Sequence, residues 1–509
     1  MTIISGDVSE SLREYLILTG WVKEKPEMIS LRTKLGGKVP LQYPYMTARM
    51  QSVVGPEMAV AAGRQGILTC IPRSLRDIDK QAIIDANNRA RLRQGNIELV
   101  SNPERTDPNT RLEDVVNLVG KTGHSVIPVF DRYSKLEGVY VHDPDHPPSV
   151  SPNTPIRELV TPIRVPGTEQ GIPVSYSDQK EELMKIITEQ KLRFVPIIDE
   201  KGILHKMAFV QKYDTNFIGM AMSTRIGWEA ELEKWGSQVD TLMIDSSNAC
   251  FEDAAKILRA AKERFPDKPF GIGNIIQGKH FKIFAELGAD YIIGGMGVGS
   301  ICQTGSERGN GRGQFTVARE CAAARDKHHE KTGKYVQFVV DGGIGNVKDM
   351  TVALAFGDLL MMGNYFNKFY EAAARKFDAG EEPTYTEELI RYVETWGEGH
   401  PRARLVAMFG MNFEEALRNP NKEDISRAVE RYGHSTLSAA TIEGVVGLVS
   451  YRGRLKPNVE QDARYIKTTI ANSGASDLEE FRSMAVLERA SPETIRDMYP
   501  HDIKVREGK

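Results

Sequence analysis

The chain has 509 residues, with 66 Lys and Arg against 69 Asp and Glu, which gives a formal net charge of -3. This balance argues against the strong basic field that recruits nucleic acid, so no nucleic-acid partner is predicted. The length exceeds what one compact core usually holds and predicts a large domain with at least one smaller domain.

The amino-terminal sequence carries no recognisable targeting signal. It lacks a basic region followed by an apolar stretch, and the apolar runs of the chain are much shorter than the roughly 18 to 20 residues that span a bilayer. We therefore expect a cytoplasmic protein without membrane contact. The four cysteines, Cys70, Cys250, Cys302 and Cys321, form no close pairs, so neither a disulfide framework nor a structural zinc site is expected.

Residues 101–215 contain an internal repeat of a helix followed by a strand and a turn. The first copy is predicted at Leu112–Lys121 with the strand after it, and the second at Lys180–Gln190 followed by Phe194–Asp199. A stretch rich in Pro and Gly, Pro162–Pro173, separates them. The repeat resembles a pair of cystathionine-β-synthase (CBS) motifs, and this resemblance implies a tandem regulatory module.

From about residue 215 onward, short apolar runs alternate with amphipathic helical stretches. This alternation is typical of βα units with a parallel sheet, and their number favours an α/β fold with a (β/α)₈ TIM barrel. Residues 1–100 would supply the first part of the catalytic barrel, 101–215 the inserted module and 216–509 the remainder. The predicted strands are Thr241–Ile244, Phe270–Ile272, Tyr291–Ile293, Val336–Val340 and Leu359–Met362, and the predicted helices are Glu252–Arg264, Lys279–Leu287, Gln314–Thr332 and Lys348–Ala355.

Polar residues or glycines follow five of these strands in succession. Because active sites of such barrels lie at the carboxyl ends of the strands, we expect these positions to converge on one face. Any single Gly or Asn at a strand end is an ordinary turn residue, but five in succession indicate a site. The positions are Asp245-Ser246, Gly273-Asn274, Gly294-Gly295, Asp341-Gly342-Gly343 and Gly363-Asn364.

The segment 294–314 is rich in glycine and contains Cys302. A cysteine in a long chain is most often a small buried residue. A thiol on a glycine-rich loop between a strand and a helix is different, because backbone amides can stabilise its thiolate and the loop can bring it to an electrophile. Cys302 is therefore predicted to be a nucleophile.

This loop resembles the catalytic loop G-x-G-S-x-C-x-T of the IMP dehydrogenase and GMP reductase family, and the resemblance extends over essentially the whole chain. The matching residues are Gly297, Gly299, Ser300, Cys302 and Thr304. The resemblance implies that Cys302 and Thr304 are catalytic, that Cys302 adds to C2 of a purine nucleotide, and that NAD takes the hydride, in guanine nucleotide synthesis. It also implies a potassium ion bound by the carbonyls of Gly297, Gly299 and Cys302.

The resemblance assigns a second catalytic element to a flap at about residues 400–450. There Arg431-Tyr432 matches the pair that activates water for hydrolysis of the covalent intermediate, with Arg431 as the base. Glu443 follows this pair at the distance at which the family has the residue that recognises the purine ring. Tyr451-Arg452-Gly453 resembles the end of the family's V-P-Y-K-G motif.

The remaining ligand contacts also come from the resemblance. It assigns Asp341 to the substrate ribose, Met50 to the purine and Gly399 to the substrate pocket. It assigns Ser300, Gly343, Gly363 and Asn364 to the phosphate, and Asp245, Ser246, Asn274 and Gly295 to the cofactor. Two positions depart from the family pattern, because Ala48 and Thr395 stand where the family has a phosphate-binding Ser and a Tyr.

Several alternatives remain open at this level. A GMP reductase using NADPH shares the cysteine loop, but its family has a Glu where this chain has Pro401, and it lacks the Arg-Tyr flap. A paralogue acting on a modified purine nucleotide and a non-catalytic nucleotide sensor are further alternatives. The resemblance implies a homotetramer, with octamers formed through the CBS module.

Overall fold

The computed structural model describes residues 8–122, 125–143, 148–164, 170–211, 213–411 and 444–500. The chain divides into two compact units, Met1–Arg91 together with Asn216–Lys509, and Leu92–Thr215. Across the described ranges, no helix combines the length and the apolar character needed to cross a membrane.

The described residues form short strands and helices that alternate along much of the chain. In chain order the strands are β1 (Tyr15–Ile17), β2 (Thr33–Leu35), β3 (Val39–Leu41), β4 (Tyr45–Thr47), β5 (Thr69–Ile71), β6 (Ile97–Ser101), β7 (Val126–Phe130), β8 (Leu136–Val141), β9 (Thr161–Pro162), β10 (Phe194–Ile198), β11 (Leu204–Val210), β12 (Ile218–Met222), β13 (Thr241–Asp245), β14 (Phe270–Ile275), β15 (Tyr291–Gly294), β16 (Gln337–Asp341), β17 (Leu359–Met362), β18 (Lys376–Phe377), β19 (Tyr392–Trp396), β20 (Val446–Ser450) and β21 (Leu487–Arg489). The α-helices are Pro56–Arg64, Asp77–Ala90, Leu112–Thr122, Lys180–Glu189, Trp228–Trp235, Glu252–Arg264, Gly278–Glu286, Thr304–Arg308, Gln314–Thr332, Val347–Leu354, Asn364–Asn367, Pro401–Phe409, Leu455–Asn472, Leu478–Met484 and Pro492–Asp497.

Eight parallel strands form a barrel in the first unit. Their order around the sheet is β4, β17, β16, β15, β14, β13, β12 and β5. The two end strands meet through a parallel bridge between Met46 and Leu68, and the Thr47 amide donates to the Leu68 carbonyl at 3.0 Å. The sheet therefore closes, and the predicted (β/α)₈ TIM barrel is confirmed.

The barrel interior is filled by side chains rather than open. Tyr291 of β15 lies inside it, and its hydroxyl bonds with the Thr241 hydroxyl at 2.9 Å. A Cβ at Gly271 on the neighbouring strand would lie 2.0 Å from the Tyr291 ring, so a glycine is required there. At the amino ends of the strands the β2–β3 hairpin packs Leu35 and Leu41 against this core. A ligand is therefore expected at the carboxyl ends of the strands.

The helices around the barrel begin and end where local chemistry dictates. The helix Gln314–Thr332 ends because Gly333 adopts a left-handed conformation, with φ at +69°, and donates its amide to the His329 carbonyl. The helix Val347–Leu354 begins at Asn346, whose side chain accepts a hydrogen bond from the Asp349 amide at 3.0 Å. These capping residues can be recognised in the sequence. The bounds predicted for the two helices differ from those in the structure by at most about one residue.

Two further sheets complete the first unit. The strand β19 pairs antiparallel with β18 and β20 and carries the chain to the segment Gly397–Gly399. The strand β21 pairs antiparallel with β1, with Tyr15 opposite Arg489. Neither sheet follows from the βα alternation, because their strands are short and far apart in the chain.

The second unit consists of two similar halves. One half has the helix Leu112–Thr122 and the hairpin β7–β8, and the other has the helix Lys180–Glu189 and the hairpin β10–β11. The two hairpins share a core that includes Val139 and Met207. The strand β6 pairs antiparallel with β11, so residues 92–100 belong to this unit and the predicted boundary at residue 100 falls within β6.

Candidate active site

The carboxyl ends of three barrel strands hold a connected group of polar side chains. Asp245 ends β13, Asn274 lies near the end of β14 and Asp341 ends β16. The Asn274 side-chain amide donates to the Asp341 carboxylate at 2.9 Å and to the Gly295 carbonyl at 2.7 Å. Three predicted ligand residues and Gly295 are therefore brought together.

Cys302 lies on the loop between β15 and the short helix that begins at Thr304. Its thiol is exposed and lies 3.3 Å from the Thr304 hydroxyl, which is itself 8% exposed. The other cysteines are buried or half-buried. Of the four thiols, Cys302 is thus the one open to a ligand in the barrel mouth.

The glycines of this loop are needed for its path. Gly295 has φ at +147°, and a Cβ there would lie 1.8 Å from the Asp341 carbonyl oxygen. Gly297 has φ at +81° and packs beside Gly311. The Cys302 amide donates to the Gly299 carbonyl at 3.0 Å, so the predicted cation ligands lie within one turn. Larger residues would displace the loop from the ends of β15 and β16.

The predicted phosphate residues also come together. The Asn364 side-chain amide donates to the Ser300 hydroxyl at 2.8 Å. A Cβ at Gly363 would meet the Met50 sulfur at 2.6 Å and the Ala48 methyl at 3.4 Å, so Met50 packs directly over this turn. Gly343, with φ at +74°, packs on Val298 of the cysteine loop.

The remaining cofactor position, Ser246, directly follows β13. Its amide donates to the Gly273 carbonyl at 2.9 Å, and its carbonyl accepts from the Asn274 amide at 2.7 Å. Its hydroxyl donates to the Asn248 carbonyl at 3.0 Å. Ser246 therefore joins the ends of β13 and β14 and lies beside the polar group described above.

The chain that follows the predicted flap returns to the cysteine loop. The Val445 amide donates to the Ile301 carbonyl at 3.3 Å, and the Gly397 amide donates to the Val445 carbonyl at 3.3 Å. These contacts hold the segment ending at Gly399 beside the loop that carries Cys302. Arg431, Tyr432 and Glu443 lie outside the described residues.

Two arginines in the cleft were not among the predicted site residues. Arg49 lies 3.1 Å from the Asp245 carboxylate and 2.9 Å from that of Asp341. Arg73 lies 3.3 Å from Asp245. Burial raises the pKa of Asp341, while Arg49 and the Asn274 amide oppose this increase. The signal available in the sequence was a charged residue directly before Met50, at the end of a strand that is otherwise buried.

Glu398 is a third unpredicted residue at the mouth of the barrel. Its carboxylate accepts from the Gln51 amide at 2.7 Å and from the Ser74 hydroxyl at 2.5 Å. The side chain is open to the cleft, yet the surrounding protein displaces enough water to raise the pKa of Glu398 to about 7. The Asp245 charge also raises the pKa of Glu398, whereas the hydrogen bonds from Ser74 and Gln51 lower it.

Replacing this carboxyl group should change how stability depends on pH. Because the folded pKa of Glu398 lies above its ordinary value of 4.5, folding favours the protonated form, and wild-type stability falls as pH rises between these values. We expect Glu398→Gln to exceed wild type in urea midpoint by a margin that grows from pH 5 to pH 8. After allowance for solvent screening, this gain is at most about 1 kcal/mol. A margin independent of pH would contradict the raised pKa.

The arrangement is suited to covalent chemistry on a polar ligand with hydroxyl groups. An exposed thiol lies on a loop packed against the strand end that carries Asp341. Carboxylates at the ends of β13 and β16 can accept hydroxyl hydrogen bonds, and glycine turns at 343 and 363 expose backbone to an anion. An exposed thiol and a connected group of polar side chains therefore lie at the same end of the barrel.

Comparison with known proteins identifies the family of this chain. The sequence profile of the IMP dehydrogenase / GMP reductase domain matches residues 10–501. Inosine-5'-monophosphate dehydrogenase from Tritrichomonas foetus is 30% identical, over 98% of this chain and 96% of its own. The enzyme of that name from Aquifex aeolicus is 24% identical, over 99% of this chain and 98% of its own.

A solved structure agrees in fold. A cysteine-to-alanine variant of GMP reductase from Trypanosoma brucei, in complex with guanosine 5'-monophosphate, superposes with a TM-score of 0.64. It is 19% identical, with coverage of 98% of this chain and 99% of that one. Together, the profile match over nearly the whole chain and the full-length relatives show that this protein belongs to the IMP dehydrogenase/GMP reductase family of oxidoreductases.

Proposed function

We propose that this protein oxidises IMP to XMP with NAD as the hydride acceptor, through a covalent intermediate on Cys302. The observation that carries the proposal is the exposed Cys302 thiol on a glycine loop that packs against the end of β16, where Asp341 lies. A nucleophile and a ribose-binding carboxylate in one cleft suit attack on the base of a bound nucleotide.

The first half of the reaction forms and then oxidises an adduct. The Cys302 sulfur forms a bond to C2 of the purine, and the hydrogen on C2 leaves with its electron pair as hydride. Bound NAD would accept that hydride. The product on the enzyme is a thioimidate. The Thr304 hydroxyl, 3.3 Å from the sulfur, is placed to share a proton with it.

The second half hydrolyses this adduct. Water adds to C2, the carbon–sulfur bond breaks, and XMP leaves with the thiol restored. The balance is IMP, NAD and water giving XMP, NADH and a proton. Arg431, with Tyr432 beside it, would take the proton from water. Glu443 would recognise the purine ring. The hydrogen bond from Val445 to Ile301 supports this assignment, because it holds the chain after Glu443 at the cysteine loop.

The ligand assignments follow the same pattern. Asp341 would accept the hydroxyls of the substrate ribose, with Met50 and Gly399 near the base. Asp245 would accept hydroxyls of the nicotinamide ribose, beside Ser246 and Asn274. The Asp245 carboxylate suits this role because it contacts two guanidinium groups and still has 22% of its side chain exposed. The phosphate would meet Ser300, Gly343, Gly363 and Asn364.

Two secondary assignments complete the proposal. A potassium ion would bind the carbonyls of Gly297, Gly299 and Cys302, since a carbonyl that accepts one hydrogen bond keeps a second lone pair. The unit Leu92–Thr215 would be a tandem CBS module, which its two helix–hairpin halves support.

The test is a comparison of two substrate pairs with the purified full-length protein. We expect NADH to accumulate with IMP and NAD, and XMP to be identified by mass spectrometry in equal amount. No NADPH should be consumed with GMP. Turnover of GMP with NADPH and not of IMP with NAD would replace this proposal with GMP reductase. Absence of both reactions in folded protein would overturn it.

A further inference from the structure

Arg49 is a buried charge in the middle of the proposed ligand cleft. It lies between Ala48 and Met50, just beyond the end of β4, and is 9% exposed. Burial lowers the pKa of Arg49 and the carboxylates of Asp245 and Asp341 raise it, with a net increase. A buried guanidinium is costly unless it is paired, so its contacts set its role.

The guanidinium group divides its contacts among three strands, β13, β14 and β16. One terminal nitrogen, Nη1, lies 3.1 Å from the Asp245 carboxylate on β13. The other, Nη2, donates to the Asp341 carboxylate at 2.9 Å and to the Asn274 side-chain oxygen at 2.8 Å. The rigid planar fork of an arginine places a separate nitrogen at each carboxylate, whereas a lysine has a single nitrogen without this fixed geometry.

Each carboxylate has a further partner of its own. Asp341 Oδ2 also accepts from Asn274, and Asp245 Oδ2 also contacts Arg73. Within the part of the chain that the structure describes, Asp341 Oδ1 has no side-chain hydrogen bond, which leaves it for a ligand hydroxyl. Arg49 is thus the partner that the two carboxylates share, whereas among the described contacts Arg73 pairs with Asp245 and not with Asp341.

We propose that Arg49 is a positioning residue that holds Asp245 and Asp341 together and so sets the affinity for the substrate ribose and the cofactor ribose at the same time. This inference rests on the proposed function, in which these two carboxylates bind the two riboses. Arg49 touches neither reacting atom. It acts through the orientation of the carboxylates and by offsetting their mutual repulsion when bound ligands exclude water.

The experiment measures dissociation constants for IMP and for NAD separately, by calorimetry, in wild type and three variants. We expect Arg49→Lys to weaken both ligands, each by roughly tenfold, because the ion-pair contact to Asp245 and the hydrogen bond to Asp341 are lost or displaced. Arg73→Lys should weaken NAD and leave IMP unchanged. Arg325→Lys is the matched control, a buried arginine paired with Asp358 at the amino ends of the strands. It should lower the unfolding midpoint without changing either constant.

A second measurement separates positioning from a general loss of structure. The preference for IMP over 2',3'-dideoxy-IMP reports the ribose contact of Asp341. This preference should fall by roughly tenfold in Arg49→Lys and stay at the wild-type value in Arg325→Lys. Suppose that the wild type forms NADH. An unchanged preference in Arg49→Lys, or weakening of only one ligand in that variant, would then overturn the role of Arg49 and leave the proposed function standing. A wild type that binds neither ligand would overturn both.

Discussion

Replacing Cys302 with alanine is expected to abolish NADH formation from IMP and NAD, with a loss of roughly a thousandfold or more. The sulfur is the protein atom that bonds to the purine in the proposed reaction, and both hydride transfer and hydrolysis act on that adduct, so neither can proceed without it. Binding should survive, because within the residues that the structure describes the one side-chain hydrogen bond of this thiol is to Thr304. The measurement is steady-state NADH production together with the dissociation constant for IMP.

Cys321→Ala is the matched control for this experiment. Cys321 is buried in the helix Gln314–Thr332, and burial raises the pKa of its thiol well above the ordinary value. We expect this variant to keep its turnover. Iodoacetamide should label Cys302 first, since its thiol is exposed, and IMP should protect it. Residual turnover in Cys302→Ala at the wild-type level would rule out the covalent mechanism.

The largest expected effect on stability comes from Asp358, at the amino end of β17. This carboxylate is 2% exposed and accepts from the Arg325 guanidinium at 3.0 Å, the Tyr335 hydroxyl at 2.7 Å and the Phe338 amide at 2.9 Å. We expect Asp358→Asn to lower the free energy of unfolding by about 3 to 5 kcal/mol, because it removes the buried carboxylate partner of Arg325 and leaves that charge paired only with the exposed Asp326. Urea unfolding monitored by circular dichroism measures this change.

Asp326→Asn removes a different partner of the same guanidinium. Its carboxylate lies 2.8 Å from Arg325, yet its side chain is 55% exposed. Water replaces an exposed partner, so this variant should change the free energy of unfolding by less than about 1 kcal/mol. Equal effects of the two variants would show that burial does not decide the strength of these ion pairs.

The barrel was largely predictable because its signal is local. Strands such as Tyr291–Gly294 are buried along their whole length, and helices such as Glu252–Arg264 present one apolar face, so each element can be recognised from neighbouring residues. The repeat in the second unit was recognised in the same way. The strand β6 was not, since its pairing with β11 joins residues that are far apart in the chain.

The ligand residues that lie in the described part of the chain were likewise predicted from their positions directly after strands. Asp245, Asn274 and Asp341 were grouped because parallel strands of one barrel end on the same face. The assignment of their individual roles came from resemblance to a family, since spacing alone does not distinguish a ribose-binding carboxylate from a capping one.

The tertiary structure decided the contacts among these residues. Arg49, Asp245, Asn274 and Asp341 come from the ends of β4, β13, β14 and β16, and their hydrogen bonds depend on barrel closure. Glu398 meets Ser74 and Gln51 for the same reason. By itself the sequence determined the barrel elements and the strand ends, because short-range periodicity and spacing encode them, and it predicted Cys302 as the nucleophile. Which charges share a partner, and which are buried, was decided only when segments hundreds of residues apart were packed side by side.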